Sequence, residues 1–309
     1  MRAIGSKVED TAAFETTLAL LKNEDGFSGR GEDVASFGFR FGPLSLELRA
    51  PGRTVLDALA ESYRDYLRSP EGGVAVDFVP LEHIPVEART ELLREAPLYP
   101  EVRTFAGEDG LEEGEIAFFR WDFRALVDLG KRRGRALVSE HPTSFDAVAR
   151  IAASLFLPRA DSLLVHGASF ELDGMGIVAL GPSGSGKTTL AEMSGRLVLS
   201  DEISLLTIEP GSGLSVWGTP FTGMGRRSAN RRLSVGRLLF LVKDDTAFLE
   251  PMPPFPQFAS LMRNVVSYRP DIEGFDLLSR LCRKALDLCP AARLHFARNR
   301  DFMEVLRWS

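Results

Sequence analysis

Apolar residues alternate with others at Phe37, Phe39 and Phe41, break at Gly42-Pro43, and resume at Leu44, Leu46 and Leu48. A period of two marks half-buried strands and the break marks a turn, so the pattern predicts a hairpin. The period then lengthens. Leu56, Leu59, Tyr63 and Tyr66 recur at helical spacing within Thr54 to Ser69, after a Pro-Gly break, and Val74 to Val79 returns to strand-like residues. Residues 1–110 therefore read as a small α+β module. The acidic, glycine-punctuated stretch Gly107-Glu108-Asp109-Gly110-Leu111-Glu112-Glu113-Gly114 reads as a linker to a second domain over residues 115–309.

In that second domain Phe145, Val148, Ile151 and Leu155 share one helical face between Pro142-Thr143-Ser144 and Pro158, which predicts a helix over Thr143 to Leu157. Asp161 to Leu172, the turn pair Asp173-Gly174 and the apolar run Gly176-Ile177-Val178-Ala179-Leu180 predict another hairpin. Near the C-terminus Leu277, Leu278, Leu281, Ala285 and Leu288 form a helical stripe stopped by Pro290, and Asp301 with Glu304 resembles a capping box ahead of Phe302 to Trp308.

Composition narrows the class of molecule. At 309 residues the chain is about twice the length of a typical domain. With 44% hydrophobic and 26% charged residues it sits near the globular average, which argues against long disordered or fibrous stretches. A formal net charge of -6 gives no overall attraction to nucleic acid or anionic lipid. Neither nucleic acid nor a membrane is an expected partner: no apolar run approaches the ~20 residues of a span, and Met1 to Gly5 leads into charged sequence without a signal-like apolar region. The two cysteines, Cys282 and Cys289, are seven residues apart in a helical stretch, roughly 10 Å. They are expected in the core, not in a disulfide or a metal site, and a reducing cytoplasm fits best.

The chemistry begins at Gly181-Pro182-Ser183-Gly184-Ser185-Gly186-Lys187-Thr188, which satisfies G-x-x-x-x-G-K-[ST] between a strand-like run and a helical stretch from Thr189 to Ser194. In such a loop the glycines turn backbone N–H groups around a phosphate, the helix N-terminus adds partial positive charge, and the lysine reaches the β- and γ-phosphates. Gly181, Ser183, Gly184, Ser185, Gly186, Lys187, Thr188 and Thr189 are thus the expected nucleotide-binding residues, with the Thr188 hydroxyl available to Mg²⁺. Asp201 follows only 14 positions after Lys187, on Leu197-Val198-Leu199-Ser200-Asp201-Glu202. ABC ATPases and Ras-like GTPases place their metal-linked Asp much further along, and the chain has neither an LSGGQ-type signature nor an NKxD guanine motif.

On a regular strand Asp201 and Glu202 would face opposite sides, so one metal could not hold both without a bulge. A strand end or bend at the phosphate site resolves this, one acid holding Mg²⁺ and the other acting on the acceptor hydroxyl or orienting its partner. Upstream, a two-residue turn at Asp173-Gly174 sets His166 opposite Gly181, and a four-residue turn sets it opposite Ser183; either register brings it beside the phosphates. The loop Gly218 to Gly225, followed by Arg226, Arg227, Arg231 and Arg232, has the composition of a mobile active-site loop, with Arg231 and Arg232 as candidate phosphate partners.

The succession of His166-Gly167, a hairpin, Gly181 to Thr188 and Ser200-Asp201-Glu202 resembles the catalytic domain of HPr kinase/phosphorylase and its relatives, a group also akin to phosphoenolpyruvate carboxykinase. The run from about Ser139 to Trp308, including Ser200-Asp201-Glu202-Ile203-Ser204-Leu205-Leu206 and Gly218-Thr219-Pro220, is similar to the HPr-kinase-related proteins, some of which occur with peptide-modification clusters. The resemblance implies an α/β P-loop domain with a mixed or largely antiparallel sheet. It also implies ATP·Mg²⁺-dependent phosphorylation of a serine-type hydroxyl on a peptide, protein or small molecule. Catalytic roles would fall to His166, Lys187, Asp201 and Glu202, and metal binding to Thr188, Asp201 and Glu202. Two other readings use the same loop: an ATP-binding regulatory or accessory protein without transferase activity, and a simple ATP hydrolase. The sequence leaves room for a homo-oligomer.

Overall fold

The computed structural model describes residues 11–23, 34–51, 54–69, 72–95, 100–139, 141–211, 213–223, 225–269 and 271–307; Met1 to Gly5, Met224 and Trp308 lie outside them. It is an α/β protein with two mixed sheets, one in each of two compact units. No helix among the described residues is long and apolar enough to cross a membrane.

The first unit comprises Met1–Arg40, Leu44–Phe156 and Tyr268–Ile272. Its sheet has seven strands among the described residues. The predicted hairpin is β1 (Val34–Phe41) and β2 (Leu44–Pro51), and the following helix is α2 (Thr54–Ser62), after α1 (Thr11–Lys22). Strand β3 (Val74–Pro80) lies parallel to β2 and to β7 (Arg133–Val138). Strands β4 (Arg103–Phe105), β5 (Glu115–Arg120) and β6 (Phe123–Asp128) complete the sheet in antiparallel pairs. Helix α1 buries Phe14, Leu18 and Leu21 against Val79, Phe119 and Leu137, and α3 (Val86–Glu95) adds Leu92 to that cluster.

The segment Gly107–Gly114 is not an interdomain linker. It joins β4 to β5, hydrogen-bonded neighbours in one sheet, and the Lys22 ammonium ties it down by donating to Gly110 O at 2.9 Å. Its glycines serve backbone turns, with φ of 71° at Gly107 and 86° at Gly114. The units divide instead at Phe156/Leu157, where α4 (Pro142–Phe156) ends.

The second unit is built on β8 (Ser162–Leu172) and β9 (Met175–Leu180). Their turn has φ of 50° at Asp173 and 80° at Gly174, the two-residue geometry that matches strand twist. Strand β8 serves two partners in succession. Its first half pairs with β11 (Ile203–Glu209), from Thr207↔Ser162 to Ile203↔His166; its second half pairs with β9, from Gly167↔Leu180 to Leu172↔Met175. Strand β11 pairs with β12 (Gly213–Trp217), β12 with β13 (Arg232–Lys243), and β13 runs parallel to β9. The pairing β8-β11-β12-β13-β9 therefore returns to β8 as a closed ring. Outside it, β10 (Val198–Ser200) pairs with β8, and β15 (Ala291–Phe296) continues the parallel run from β13 to the edge strand β14 (Phe248–Pro251).

The helices cover both faces of this second sheet. The alternate residues Val178, Leu180, Leu238, Phe240 and Ala291 pack under α6 (Pro254–Asn264) and α7 (Ile272–Leu288), among them Leu261, Leu278, Leu281 and both cysteines. The opposite set, Ile177, Ala179, Leu239, Leu241, Leu294 and Phe296, packs against α5 (Lys187–Ser194) and α8 (Phe302–Leu306). The expected capping box at α8 does not form. Asp301 has helical φ and ψ of -60° and -29°, and its carboxylate accepts from the Asn299 amide at 2.7 Å.

Candidate functional site

Strand β9 ends at Leu180 and the chain turns at once through Gly181–Gly186 into α5, the predicted strand–loop–helix. Ser183 and Gly184 form the exposed tip. Gly186, the residue before the helix, has φ of 98°, and a Cβ there would lie 2.8 Å from Cζ of Phe296. Only glycine suits that position, because the backbone is left-handed and a core ring occupies the side-chain space. The helix stops at Gly195, with φ of 65°.

The Lys187 ammonium donates to Gly181 O at 2.7 Å and Pro182 O at 2.9 Å, curling back over its own loop. Burial pushes its pKa below the ordinary lysine value, and the negative charge of Glu202 works in the opposite direction. The Gly181 N–H donates to Asn264 Oδ1 at 3.1 Å, and the Asn264 amide in turn donates to Ser260 O at 2.8 Å. The first residue of the loop is thus pinned by the last residue of α6. Ser185 carries a buried hydroxyl oxygen with no hydrogen-bond partner among the described residues.

Asp201 and Glu202 occupy a bend between β10 and β11, both of which pair with β8, and the register of β10 is irregular just before it. This is the break that their opposed strand faces required. Asp201 is 2% exposed. Its Oδ1 accepts from Gly223 N–H at 2.9 Å, and its backbone carbonyl accepts from the Thr188 hydroxyl at 3.2 Å. Its Oδ2 is buried without a hydrogen-bond partner among the described residues. A Cβ on Gly225 would fall 2.6 Å from that oxygen and 3.4 Å from Cγ2 of Thr188, and one on Gly223 would fall 3.1 Å from Glu202 Oε2. The backbone at Gly223 and at Gly225 therefore lies close against the two carboxylates, and glycine is what permits the approach.

His166 is exposed and pairs with Ile203. Its neighbour Gly167 pairs with Leu180 and donates its N–H to Glu202 O at 2.9 Å. The two-residue turn thus carries His166 to the level of Gly181, next to the acidic bend in the backbone lattice.

The loop after Gly218 is strapped down. Gly218 N–H donates to Arg231 O at 3.1 Å, Ala229 N–H to Leu199 O at 3.0 Å, and the buried Thr219 hydroxyl to Ile203 O at 2.6 Å. Arg232 does not serve the phosphate loop. Its guanidinium bonds Glu209, reaches Ser215 Oγ at 3.3 Å and lies 5.9 Å from the Trp217 ring centroid, at the end of β11 away from the acidic bend.

A buried carboxylate oxygen without a donor is costly unless a cation answers it, and a carboxylate with a threonine hydroxyl is the oxygen donor set that suits a hard divalent ion. Thr188 and Asp201 therefore offer oxygen donors of the kind Mg²⁺ takes, with Glu202 next to Asp201 in the chain. Asn264, Phe296 and Gly223 support the site through contacts that no local pattern announces. Asn264, for instance, lies 83 residues from Gly181. No protein-family model and no curated protein matches the chain.

Proposed function

We propose that the protein is an ATP- and Mg²⁺-dependent kinase of the HPr-kinase-like P-loop type, acting in the cytoplasm on a serine-type hydroxyl of a peptide, protein or small molecule. The reading is carried by Asp201, whose Oδ2 is buried beside Thr188 without a hydrogen-bond partner among the described residues, at the mouth of a phosphate-type loop. The loop amides and Lys187 would hold the β- and γ-phosphates once the ammonium leaves its own carbonyls. Thr188 and Asp201 would hold Mg²⁺, which when bound offsets the negative charge of the phosphates. Glu202, half-buried beside the loop lysine, is the residue to take the acceptor's proton. The acceptor oxygen then bonds to the γ-phosphorus, the bridging P–O bond breaks, and ADP leaves. His166, exposed at the level of Gly181, borders the γ-phosphate side and can orient Glu202.

Transfer from γ-labelled ATP to serine-containing peptides tests the chemistry. Lys187→Ala should abolish it, and Glu202→Gln should lower it by roughly 10²- to 10⁴-fold, the usual worth of a positioned base. Unimpaired transfer in both variants refutes the mechanism. Mg²⁺ binding is tested separately by thermal unfolding: Mg²⁺ should raise the midpoint of the wild type but not of Asp201→Asn, and an equal rise in both removes Asp201 from the metal site.

A further inference from the structure

Strands β9, β13 and β15 run parallel, so their carboxyl ends lie side by side, and ligands of parallel sheets bind beyond such ends. The first end delivers Gly181, the second Lys243-Asp244, and the third His295-Phe296. His295 is unlike anything else on that edge. Phe248 of the edge strand β14 stacks on its ring at 4.1 Å between centroids and 12° between planes. Asp244 Oδ2 lies 2.9 Å from His295 Nδ1 and Glu250 Oε2 lies 3.2 Å from Nε2, and Arg293 holds Glu250 at 2.9 and 3.0 Å.

The face is the one that carries the loop's brace. Ala291, Arg293 and His295 alternate onto the side covered by α6, where Gln257 accepts from Ala291 N–H at 2.8 Å and Asn264 accepts from Gly181 N–H at 3.1 Å. Phe248 and Glu250 stand opposite His295 and Arg293 on the same side. Phe248 remains 42% exposed, an aromatic ring left open to solvent on an edge strand. Neighbouring strands are about 4.8 Å apart, so β15 and β14 lie roughly 10 and 14 Å from β9. That is the span of an extended triphosphate and its ribose.

We propose that the stacked pair Phe248–His295, rimmed by Asp244 and Glu250, receives the nucleoside of the nucleotide whose phosphates sit on Gly181–Thr188. The proposal rests on the reading of that loop as a phosphate grip. A base has a π-face that stacks on an aromatic ring whatever its identity, and the carboxylates accept from ribose hydroxyls or an exocyclic amine.

Titration calorimetry with Mg·ATP and with inorganic tripolyphosphate separates the two halves of the ligand. The wild type should bind ATP more tightly than tripolyphosphate. Phe248→Ala should weaken ATP by about 10-fold, the effect of losing one stacked base, and leave tripolyphosphate unchanged. Phe248→Leu, which keeps an apolar side chain on β14, should lose ATP affinity as the alanine variant does, while Phe248→Tyr should retain it. Unchanged ATP affinity in Phe248→Leu overturns the platform and leaves the phosphate grip standing. If the wild type binds neither ligand, or Lys187→Ala binds tripolyphosphate as well as the wild type, the grip itself fails and the platform with it.

Discussion

Gly186→Ala tests how tightly the phosphate loop is built into the core. The added methyl meets two obstacles. A non-glycine residue at φ 98° is held in a sparsely populated backbone region, which costs about 1–3 kcal/mol. The methyl would also sit 2.8 Å from Phe296 Cζ, and Phe296 is 4% exposed in the cluster with Leu294 and Phe302, so its ring must leave its preferred rotamer at about 0.5–1.5 kcal/mol. Together these predict a loss of about 2–4 kcal/mol, or roughly 5–15 °C in the unfolding midpoint of this unit. The double variant Gly186→Ala/Phe296→Leu separates the terms. Leucine relieves the ring contact but not the backbone strain, so the two substitutions should be less damaging together than the sum of their single effects, by about 1 kcal/mol. Denaturant unfolding of the four proteins in the cycle measures this. Strict additivity, or a Gly186→Ala protein as stable as the wild type, would show that Phe296 does not brace the loop.

Three further outcomes follow from the same contacts. Asn264→Ala leaves a buried Gly181 N–H without its acceptor, so stability should fall by about 1–3 kcal/mol and tripolyphosphate binding should weaken; calorimetry showing unchanged binding would remove Asn264 from the support of the loop. Burial pushes the Cys282 thiol up to about 12 and raises that of Cys289, so a thiol reagent at pH 8 should label neither in the folded protein and both after denaturation. Burial disfavours the charged His295 ring, but hydrogen bonds to Asp244 and Glu250 outweigh it and raise its pKa. Its contribution to stability is therefore full below the ordinary histidine value of about 6.5 and is lost as pH climbs through the raised native value. The gap in unfolding midpoint between wild type and His295→Gln should narrow on the alkaline side, and a gap constant from pH 5 to 9 contradicts the assignment. The pKa of Asp244, depressed by its hydrogen bond to His295 and by the Asp245 and Thr246 N–H groups, and that of Glu250, depressed by Arg293 and then by His295, act in the opposite sense, their contribution fading as pH falls through their native values.

What could be read from the chain was local. Asp173-Gly174 announced its turn because few residue pairs accept two successive positive φ values, and that turn set the register that carries His166 toward Gly181. The bend at Asp201-Glu202 was legible because two adjacent carboxylates cannot share a strand face. What escaped was tertiary. Gly107–Gly114 has a linker's composition, but glycine and acidic residues serve a connection within a sheet equally well, and it is the pairing of β4 with β5, from Arg103↔Phe119 to Phe105↔Ala117, that shows the sheet crossing it. Arg232 looked like a phosphate ligand because its charge was visible and its partner Glu209, 23 residues away, was not. The capping motif at Asp301 failed because a nearer donor, Asn299, claimed the carboxylate.

Strand β8 also acts as a measuring rod. Its two halves hold the phosphate loop's strand and the acidic strand against one shared backbone, so the offset between Gly181 and Asp201 is fixed by hydrogen-bond register, not by the length of the chain between them. The connection from Gly195 to Leu197 can change length in a related chain without moving the acids, whereas the two-residue turn Asp173-Gly174 belongs to the rod, because it sets the register of β9 on β8. One residue gained or lost between His166 and Ser169 would shift one half against the other by about 3.3 Å and turn its side chains to the opposite face. Diversification of such a site is therefore expected in its connections, with the rod itself kept at constant length.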